Sequence, residues 1–155
     1  MKRMTIYVAG PYTGSTEGEV WEHVTSAIDA GIAIYTRGHY PYVPHLTHFV
    51  EERSRQVGAG LRWEDYLHWD HAWLGHCDAL LYLGSSRGAD LELSWAEELG
   101  LEIFRSIDEI PQSSRPHAAD DPILTQGPDS APRKLQRKHK RRDLPVTGDG
   151  EVCLP

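Results

Sequence analysis

The hydrophobic positions of the chain form two alternating patterns up to about residue 110. Short apolar runs, typical of β-strands, occupy 4–9, 39–43, 78–83 and 101–104. Between them, apolar residues recur every three or four positions, which predicts helices over about 18–37, 62–76 and 85–99. This alternation predicts a parallel sheet with short right-handed crossovers. We therefore expect an α/β fold, a three-layer, doubly wound sheet of four to five strands that is Rossmann-like or flavodoxin-like.

Apolar side chains mark the first predicted helix and the helix before the third strand. In the first helix, Trp21, Val24, Ala27, Ile28 and Ile32 follow a helical period. In the helix that precedes the third strand, we interpret Trp63, Trp69 and Trp73 as core or subunit-interface residues. Pro41 favours an edge position or a strand start for the second apolar run, because proline has no N–H for a central ladder.

The segment 111–155 differs from the rest in composition. It contains seven prolines and little periodic apolar character, so we predict a disordered tail after a domain at 1–110. The domain carries 8 Lys and Arg against 17 Asp and Glu, a net charge of −9, whereas the tail carries 8 against 6, a net charge of +2. The basic cluster 133–142 is a candidate contact for nucleic acid or another acidic partner, and the alternative is a solvated tail.

The overall composition argues against several classes of protein. An acidic domain is a poor general surface for nucleic acid. No run of about 18 apolar residues is present, and the N-terminus leads directly into a strand, so we expect neither a membrane span nor a signal peptide. Cys77 and Cys153 form no CxxC pair, which fits a reducing cytoplasm. The pairs His45/His48 and His68/His71 lack completing ligands of the usual spacing, so we expect no metal and no cofactor.

The candidate chemistry lies in three loops that follow strands. These are 10–16, 44–48 and 84–90, and ligands bind at the carboxyl ends of strands in such sheets. In the last loop, Ser86 and Gly88 expose backbone amides at the start of a helix, an arrangement that attracts anions. Glu92 follows within the first two turns. From the segment alone, Glu92 is either a group beside the ligand or an ordinary solvated helix residue.

Four short motifs in a fixed order strengthen the functional interpretation. They are Tyr7-Val8-Ala9-Gly10-Pro11-Tyr12, Asp70-His71-Ala72-Trp73-Leu74, Cys77-Asp78 and Ser86-Arg87-Gly88-Ala89-Asp90-Leu91-Glu92. In order and spacing, over about 100 residues, the chain resembles the nucleoside 2-deoxyribosyltransferase superfamily. That superfamily includes 2'-deoxynucleoside 5'-monophosphate N-glycosidases and cytidylate hydrolases. The loops 10–14 and 44–48 look closer to an uncharacterised, DUF4406-like branch of it.

The resemblance implies a role for each matching residue. Glu92 matches the glutamate that attacks the anomeric carbon and forms a glycosyl-enzyme intermediate. Asp70 matches an aspartate that orients the substrate and handles the proton of the leaving base. Ser86 matches a serine that binds the 5'-phosphate in the nucleotide-hydrolysing branch. Tyr7 and the loop that begins at Gly10 match the region that lines the sugar pocket.

The first loop departs from the pattern of the nucleotide-hydrolysing branch. Thr13 stands where that branch often has an arginine, and Pro11-Tyr12 replaces a smaller, more polar pair. Arg87 is the candidate to supply the missing charge, and the alternative is a solvated residue at a helix start. We expect His45 at the mouth of the pocket, as a phosphate contact or proton donor, or as a hydrogen-bonded loop histidine.

The sequence therefore predicts cleavage or transfer at the N-glycosidic bond of a nucleoside or nucleotide, and it leaves hydrolase and transferase open. The alternative is a catalytically inactive module of the same fold that binds or senses nucleotides. By resemblance we also expect a homo-oligomer, a dimer or larger.

Overall fold

The computed structural model describes residues 2–114, which form an α/β domain around one parallel sheet. The strands are β1 (Thr5–Ala9), β2 (Tyr40–Tyr42), β3 (Ala79–Tyr82) and β4 (Glu102–Phe104). The helices are α1 (Glu17–Thr36), α2 (Thr47–Val57), α3 (Trp63–Leu74) and α4 (Arg87–Glu98), with 3₁₀ turns at Pro44–Leu46 and Ile107–Glu109. The α/β parallel sheet predicted from the sequence is confirmed, with four strands in the described range.

The strand order β2-β1-β3-β4 creates a switch point between β1 and β3. From β1 the chain crosses through α1 to β2 on one side, and from β3 it crosses through α4 to β4 on the other. Ala9 pairs with Tyr82 at the carboxyl ends of the two central strands. The loops that follow these strands therefore diverge and leave a crevice, the usual place for a ligand in a doubly wound sheet. Pro41 lies on the edge strand, as its missing N–H predicts.

The core has two apolar layers, one on each face of the sheet. Alternation along β1 sends Ile6 and Val8 into the layer that α1 covers, and Tyr7 and Ala9 into the layer that α3 and α4 cover. The first layer also contains Ala27, Ala30, Ile34, Ala79, Leu81, Phe104 and Ile110. The second contains Leu74, Cys77, Leu80, Ala89 and Ala96. The predicted three-layer arrangement follows from these two clusters.

Helix α1 presents a face of small and aliphatic residues to the sheet. Its buried residues are Val24, Ala27, Ala30, Gly31 and Ile34. Trp21 and Ile32, which share the helical period of the apolar residues, are nevertheless exposed. At Gly31 the packing is close: a Cβ there would lie 2.7 Å from Cγ2 of Val43, so this position leaves no room for a larger side chain.

The tryptophans of α3 are also exposed. Trp63, Trp69 and Trp73 lie at the surface, and the buried residues of this helix are Asp70 and Leu74. Their predicted place in the core is therefore wrong, and the interface alternative stays a prediction. Helix α3 therefore buries the carboxyl group of Asp70, whereas its tryptophan rings lie at the surface.

The described domain continues past residue 110. The Ser113 amide donates to the Arg37 carbonyl at 2.8 Å, and Nε2 of His39 donates to the Pro111 carbonyl at 2.7 Å. The segment 111–114 thus belongs with the domain rather than with the predicted tail. The predicted disorder of the remaining tail and the basic cluster 133–142 lie outside the described residues. Within residues 2–114, no helix is long and apolar enough to cross a membrane.

Candidate active site

A cavity of about 420 Å³ opens at the carboxyl ends of β1 and β3. This volume falls within the range of small-molecule sites. Its walls come from the loop after β1, the 3₁₀ turn before α2, helices α2 and α3, and the start of α4. The lining residues are Gly10, Tyr12, Thr13, Pro44, His45, Thr47, Glu51, Leu61, Trp63, Tyr66, Leu67, Asp70, Ser86, Arg87, Gly88, Ala89 and Glu92.

Glu92 is held in the wall by the geometry of α4. Ser86 caps the helix, since its hydroxyl accepts a hydrogen bond from the Ala89 amide at 3.1 Å. The turns that follow bring Glu92 inward, where only 7% of its surface is exposed. Its Oε1 accepts a hydrogen bond of 2.8 Å from the hydroxyl of Tyr7, a fully buried residue of β1. The carboxylate is thus fixed at the switch point of the sheet.

Asp70 supplies a second buried carboxyl to the same cavity. It is 9% exposed, and its Oδ1 has no hydrogen-bond partner in the described part of the chain. Burial raises the pKa of Asp70 to about 7. Burial also raises the pKa of Glu92 to about 8; the hydrogen bond from Tyr7 opposes this shift and negative charge on Asp70 adds to it.

These two carboxyls can divide acid and base roles at neutral pH. Between about pH 7 and about pH 8 the pair carries roughly one proton, as acid-base catalysis near neutrality requires. Carboxyls with perturbed pKa values that share a cleft are a typical feature of catalytic sites, because acid–base chemistry needs pKa values near the working pH. The arrangement can offer one carboxylate and one carboxylic acid to a bound molecule.

His45 differs from the buried His39 in the hydrogen bonds of its ring nitrogens. In His39, Nε2 donates to the Pro111 carbonyl and Nδ1 accepts from the Met4 amide at 3.1 Å, so both ring nitrogens are satisfied. In His45, Nε2 donates to the Pro11 carbonyl at 2.9 Å, but Nδ1 has no hydrogen-bond partner among residues 2–114. Burial lowers the pKa of His45, which leaves Nδ1 as an unprotonated acceptor in the cavity wall.

Tyr66 completes a set of buried polar atoms without partners. Its hydroxyl, Nδ1 of His45 and Oδ1 of Asp70 are the three such side-chain atoms that residues 2–114 contain. All three residues line the same cavity. An unsatisfied buried polar group costs about 1–3 kcal/mol. Their convergence on one cavity suits a polar ligand or ordered water that supplies the missing hydrogen bonds.

The start of α4 forms the outer wall of the cavity. The amides of Arg87 and Gly88 belong to the first turn of the helix and have no intrahelical partner. The guanidinium carbon of Arg87 lies 4.4 Å from the ring centroid of Trp63, at the start of α3. A Cβ on Gly88 would meet nothing within 4 Å, so neighbouring atoms do not require a glycine there.

The loop after β1 is tied down by Tyr12. Its hydroxyl donates to Glu51 and accepts from Nδ1 of His48 at 3.0 Å, and its ring lies edge-on to His45 at 6.2 Å between centroids. Pro11 does not line the cavity; it acts through its carbonyl, which holds His45.

The amino-acid sequence from residue 4 to residue 105 matches the model of a family described as a domain of unknown function, DUF4406. The chain belongs to this family. A comparison with curated proteins found no match. The matched range contains β1 to β4 and every residue that lines the cavity.

The DUF4406 domain brings together most of the site residues that the sequence predicted. Nine of them line the cavity: Gly10, Tyr12, Thr13, His45, Asp70, Ser86, Arg87, Gly88 and Glu92. Tyr7 and Pro11 lie behind the wall, where each holds a lining side chain by a hydrogen bond. Tyr7 is fully buried, so it contacts Glu92 rather than a bound sugar.

Eight lining residues of the DUF4406 domain were not among those predicted for the site: Pro44, Thr47, Glu51, Leu61, Trp63, Tyr66, Leu67 and Ala89. Tyr66 precedes Asp70 by four positions, a spacing that places both on one helix face and was the available signal. Trp63 was assigned to the core or an interface. Glu51 lies in α2, and no motif marks it.

Proposed function

We propose that this protein cleaves or transfers at the N-glycosidic bond of a nucleoside or nucleotide, with Glu92 as the nucleophile. One observation carries the proposal: two buried carboxyls with raised pKa values, Glu92 and Asp70, line one small-molecule cavity at the switch point of the sheet. The motif resemblance gives the same two residues the roles of nucleophile and proton donor.

In the proposed first step, the Glu92 carboxylate attacks the anomeric carbon of the sugar. The carbon–nitrogen bond breaks, its electron pair stays on the base nitrogen, and the proton of Asp70 neutralises the leaving base. The product is a glycosyl ester of Glu92 and a free base. Water or a second base then attacks the same carbon, restores the Glu92 carboxylate and returns a proton to Asp70.

The reactive form needs its proton on Asp70 and its negative charge on Glu92. In the empty cavity Glu92 holds a proton more tightly, with a pKa of about 8 against about 7 for Asp70. The hydrogen bond from the Tyr7 hydroxyl already acts in the empty cavity, where it opposes the rise in the pKa of Glu92. Once substrate is bound, the positive charge that develops on the sugar ring favours the Glu92 carboxylate further.

The rest of the cavity supports a ligand with both polar and aromatic parts. His45 and Tyr66 offer unpartnered polar atoms, and Tyr12 offers a ring at the wall. The first turn of α4 adds free amides and a helix dipole that favours an anion. We place the reaction in the cytoplasm, since the two unpaired cysteine positions of the sequence fit a reducing compartment. We assign it no metal or other cofactor, because each proposed step uses side chains of this chain.

We also propose that the protein is a homo-oligomer. Large apolar side chains lie exposed on α1 and α2, among them Trp21, Ile32 and Phe49. The rings of Trp21 and Phe49 lie 6.5 Å apart, and grouped apolar surface of this kind is typical of protein interfaces. Light scattering on the purified protein tests this point, and a monomer at micromolar concentration would contradict it.

The experiment for the proposed activity is a screen for base release across deoxyribo- and ribonucleosides and their 5'-monophosphates. The Glu92→Ala protein, checked for an intact fold, is the control. Release by the wild type and not by the variant supports the proposal. Tight binding of nucleotides without release from any member of the panel would instead favour a binding or sensing module.

A further inference from the structure

Among residues 2–114, Arg87 is the one arginine or lysine that lines the cavity. The other charged side chains in the wall are the carboxyl groups of Glu51, Asp70 and Glu92, and burial keeps His45 towards its neutral form. Within the described residues the Arg87 guanidinium forms no ion pair, whereas Arg37 pairs with Asp108 and Arg55 with Glu51. Its N–H donors are therefore free for a ligand.

The contact that orients Arg87 is the ring of Trp63, 4.4 Å from the guanidinium carbon. Stacking uses the face of the guanidinium and leaves the N–H groups at its edge available, the geometry that suits bidentate binding of a phosphate. A free arginine side chain has about 2 kcal/mol of rotamer entropy to lose on binding. The contact with the Trp63 ring restricts the rotamers of Arg87 before a ligand binds, so less entropy is lost on binding.

The start of α4 adds donors beside the guanidinium. The Arg87 and Gly88 amides lack intrahelical partners, and both residues line the cavity. The buried, unpartnered Nδ1 of His45, in a residue 6% exposed, independently indicates that the same cavity takes a polar ligand. An anion at the mouth would meet one cation and two backbone amides.

The guanidinium of Arg87 matters most for a phosphorylated ligand, because the other charged groups in the cavity wall are carboxyls. Glu51 is partly balanced by Arg55, whose Nη2 lies 3.4 Å from its Oε1. Asp70 and Glu92 have no basic partner in the described part of the chain, so any negative charge on them repels a phosphate. A 5'-phosphate therefore depends on Arg87, while an unphosphorylated sugar does not.

We infer that Trp63 is a positioning residue that holds Arg87 at the cavity mouth to bind the 5'-phosphate, which selects nucleoside 5'-monophosphates over nucleosides. The inference rests on the proposed function for the rest of the substrate. Trp63 acts through Arg87, so its contribution exists only while the guanidinium is present.

The test is a double-mutant cycle on the binding of ribose 5-phosphate and 2-deoxyribose 5-phosphate. The proteins are wild type, Trp63→Ala, Arg87→Gln and the double variant. Trp69→Ala is the matched control, because Trp69 lies on the same helix, is 39% exposed like Trp63 and does not line the cavity. Calorimetry or NMR titration gives each Kd, with ribose and 2-deoxyribose as unphosphorylated probes.

We expect Arg87→Gln to weaken binding of the sugar phosphates about tenfold or more. Trp63→Ala should weaken it about 2–5-fold, the size of an exposed cation–π contact. The double variant should bind no worse than Arg87→Gln, and Trp69→Ala should bind like wild type. An equal effect of Trp63→Ala in both backgrounds, or equal weakening for the unphosphorylated sugars, would overturn the inference.

Kinetics separate this inference from the proposed function. If the binding cycle holds but no substrate releases its base, the proposed function fails and the positioning role survives. If base is released, Trp63→Ala should raise KM for 5'-monophosphates without changing kcat. The inference would be refuted if kcat/KM were equal for nucleosides and 5'-monophosphates and unchanged in Arg87→Gln. The proposed function would still stand in that case.

Discussion

The Tyr7 hydroxyl donates a hydrogen bond of 2.8 Å to Oε1 of Glu92, and this bond joins the central strand β1 to helix α4. Both side chains are buried, so the bond is shielded from water. It favours the ionised form of Glu92, against the effect of burial. The activity proposed for Glu92 therefore depends on a residue that does not line the cavity.

Replacing Tyr7 with phenylalanine tests that dependence. The change removes the hydroxyl and keeps the ring, so the pKa of Glu92 should rise further. A hydrogen bond to a charged group contributes about 1.5–3 kcal/mol, so we expect kcat near pH 7 to fall about 10–100-fold and to recover partly at higher pH. A pH–rate profile identical to that of wild type would show that Tyr7 does not act on Glu92.

The pH dependence of the reaction follows from the two carboxyls. The pKa of Asp70 is raised to about 7 and that of Glu92 to about 8, so the singly protonated pair is most populated between these values. We expect kcat/KM to follow a bell with its maximum there, because one carboxyl must be ionised and the other protonated. Asp70→Asn removes the group that acts as the acid, so the fall in kcat/KM at alkaline pH should disappear. A flat profile from pH 6 to pH 9 would contradict the assignment.

Stability offers a test that needs no substrate. The pKa of Glu92 is raised from its ordinary 4.5 to about 8, so the folded state holds a proton that the unfolded chain releases. Stability from protonated Glu92 is fully present below about pH 4.5 and is lost as the pH rises through about 8. Glu92→Gln stays neutral, so its Tm should exceed that of wild type at pH 9 and match it at pH 5.

The size of the effect is measurable by thermal unfolding, since 1 kcal/mol corresponds to about 4–8 °C in a domain of about this size. Glu97→Gln, an exposed position on the same helix, is the control and should follow the wild-type curve. If the two variants show the same dependence of Tm on pH, Glu92 does not have the raised pKa that its burial implies.

Gly88 tests whether the start of α4 takes a ligand. Its φ is not positive and an added Cβ would meet no neighbour within 4 Å, so alanine should fit. Stability of Gly88→Ala should be unchanged or higher by up to about 1 kcal/mol, from helix propensity. Binding of ribose 5-phosphate should nevertheless weaken, because the methyl group crowds the free amides. Unchanged affinity would place the anion elsewhere.

Much of the fold could be predicted from the sequence because the strands are distinct apolar runs. The run 78–83 became the central strand β3, and Pro41 marked an edge strand. The buried face of α1 was predicted only in part. Trp21 and Ile32 share the helical period of its apolar residues but are exposed, and the close approach of Gly31 to Val43 is a tertiary contact that this period does not encode.

The site could be predicted only in part. Glu92 and Asp70 came from motif order rather than from residue chemistry alone, and both line the cavity. Trp63 and Tyr66 join the site only through the tertiary fold, in which Trp63 packs against Arg87 and the Tyr66 hydroxyl is buried without a partner among the described residues. Contacts between separate segments do not appear in the periodicity of the sequence. The burial of both carboxyls, which sets their pKa values, likewise depends on tertiary packing.

The most direct test of the central claim is base release by wild type and by Glu92→Gln in a single turnover, on the best substrate of the panel. The variant keeps the shape of the side chain and can still accept from Tyr7, but it cannot attack the anomeric carbon. We expect the rate to fall about 1000-fold or more, because the nucleophile is removed, with an unchanged circular dichroism spectrum. A Glu92→Gln protein that releases base within tenfold of the wild-type rate would contradict that claim.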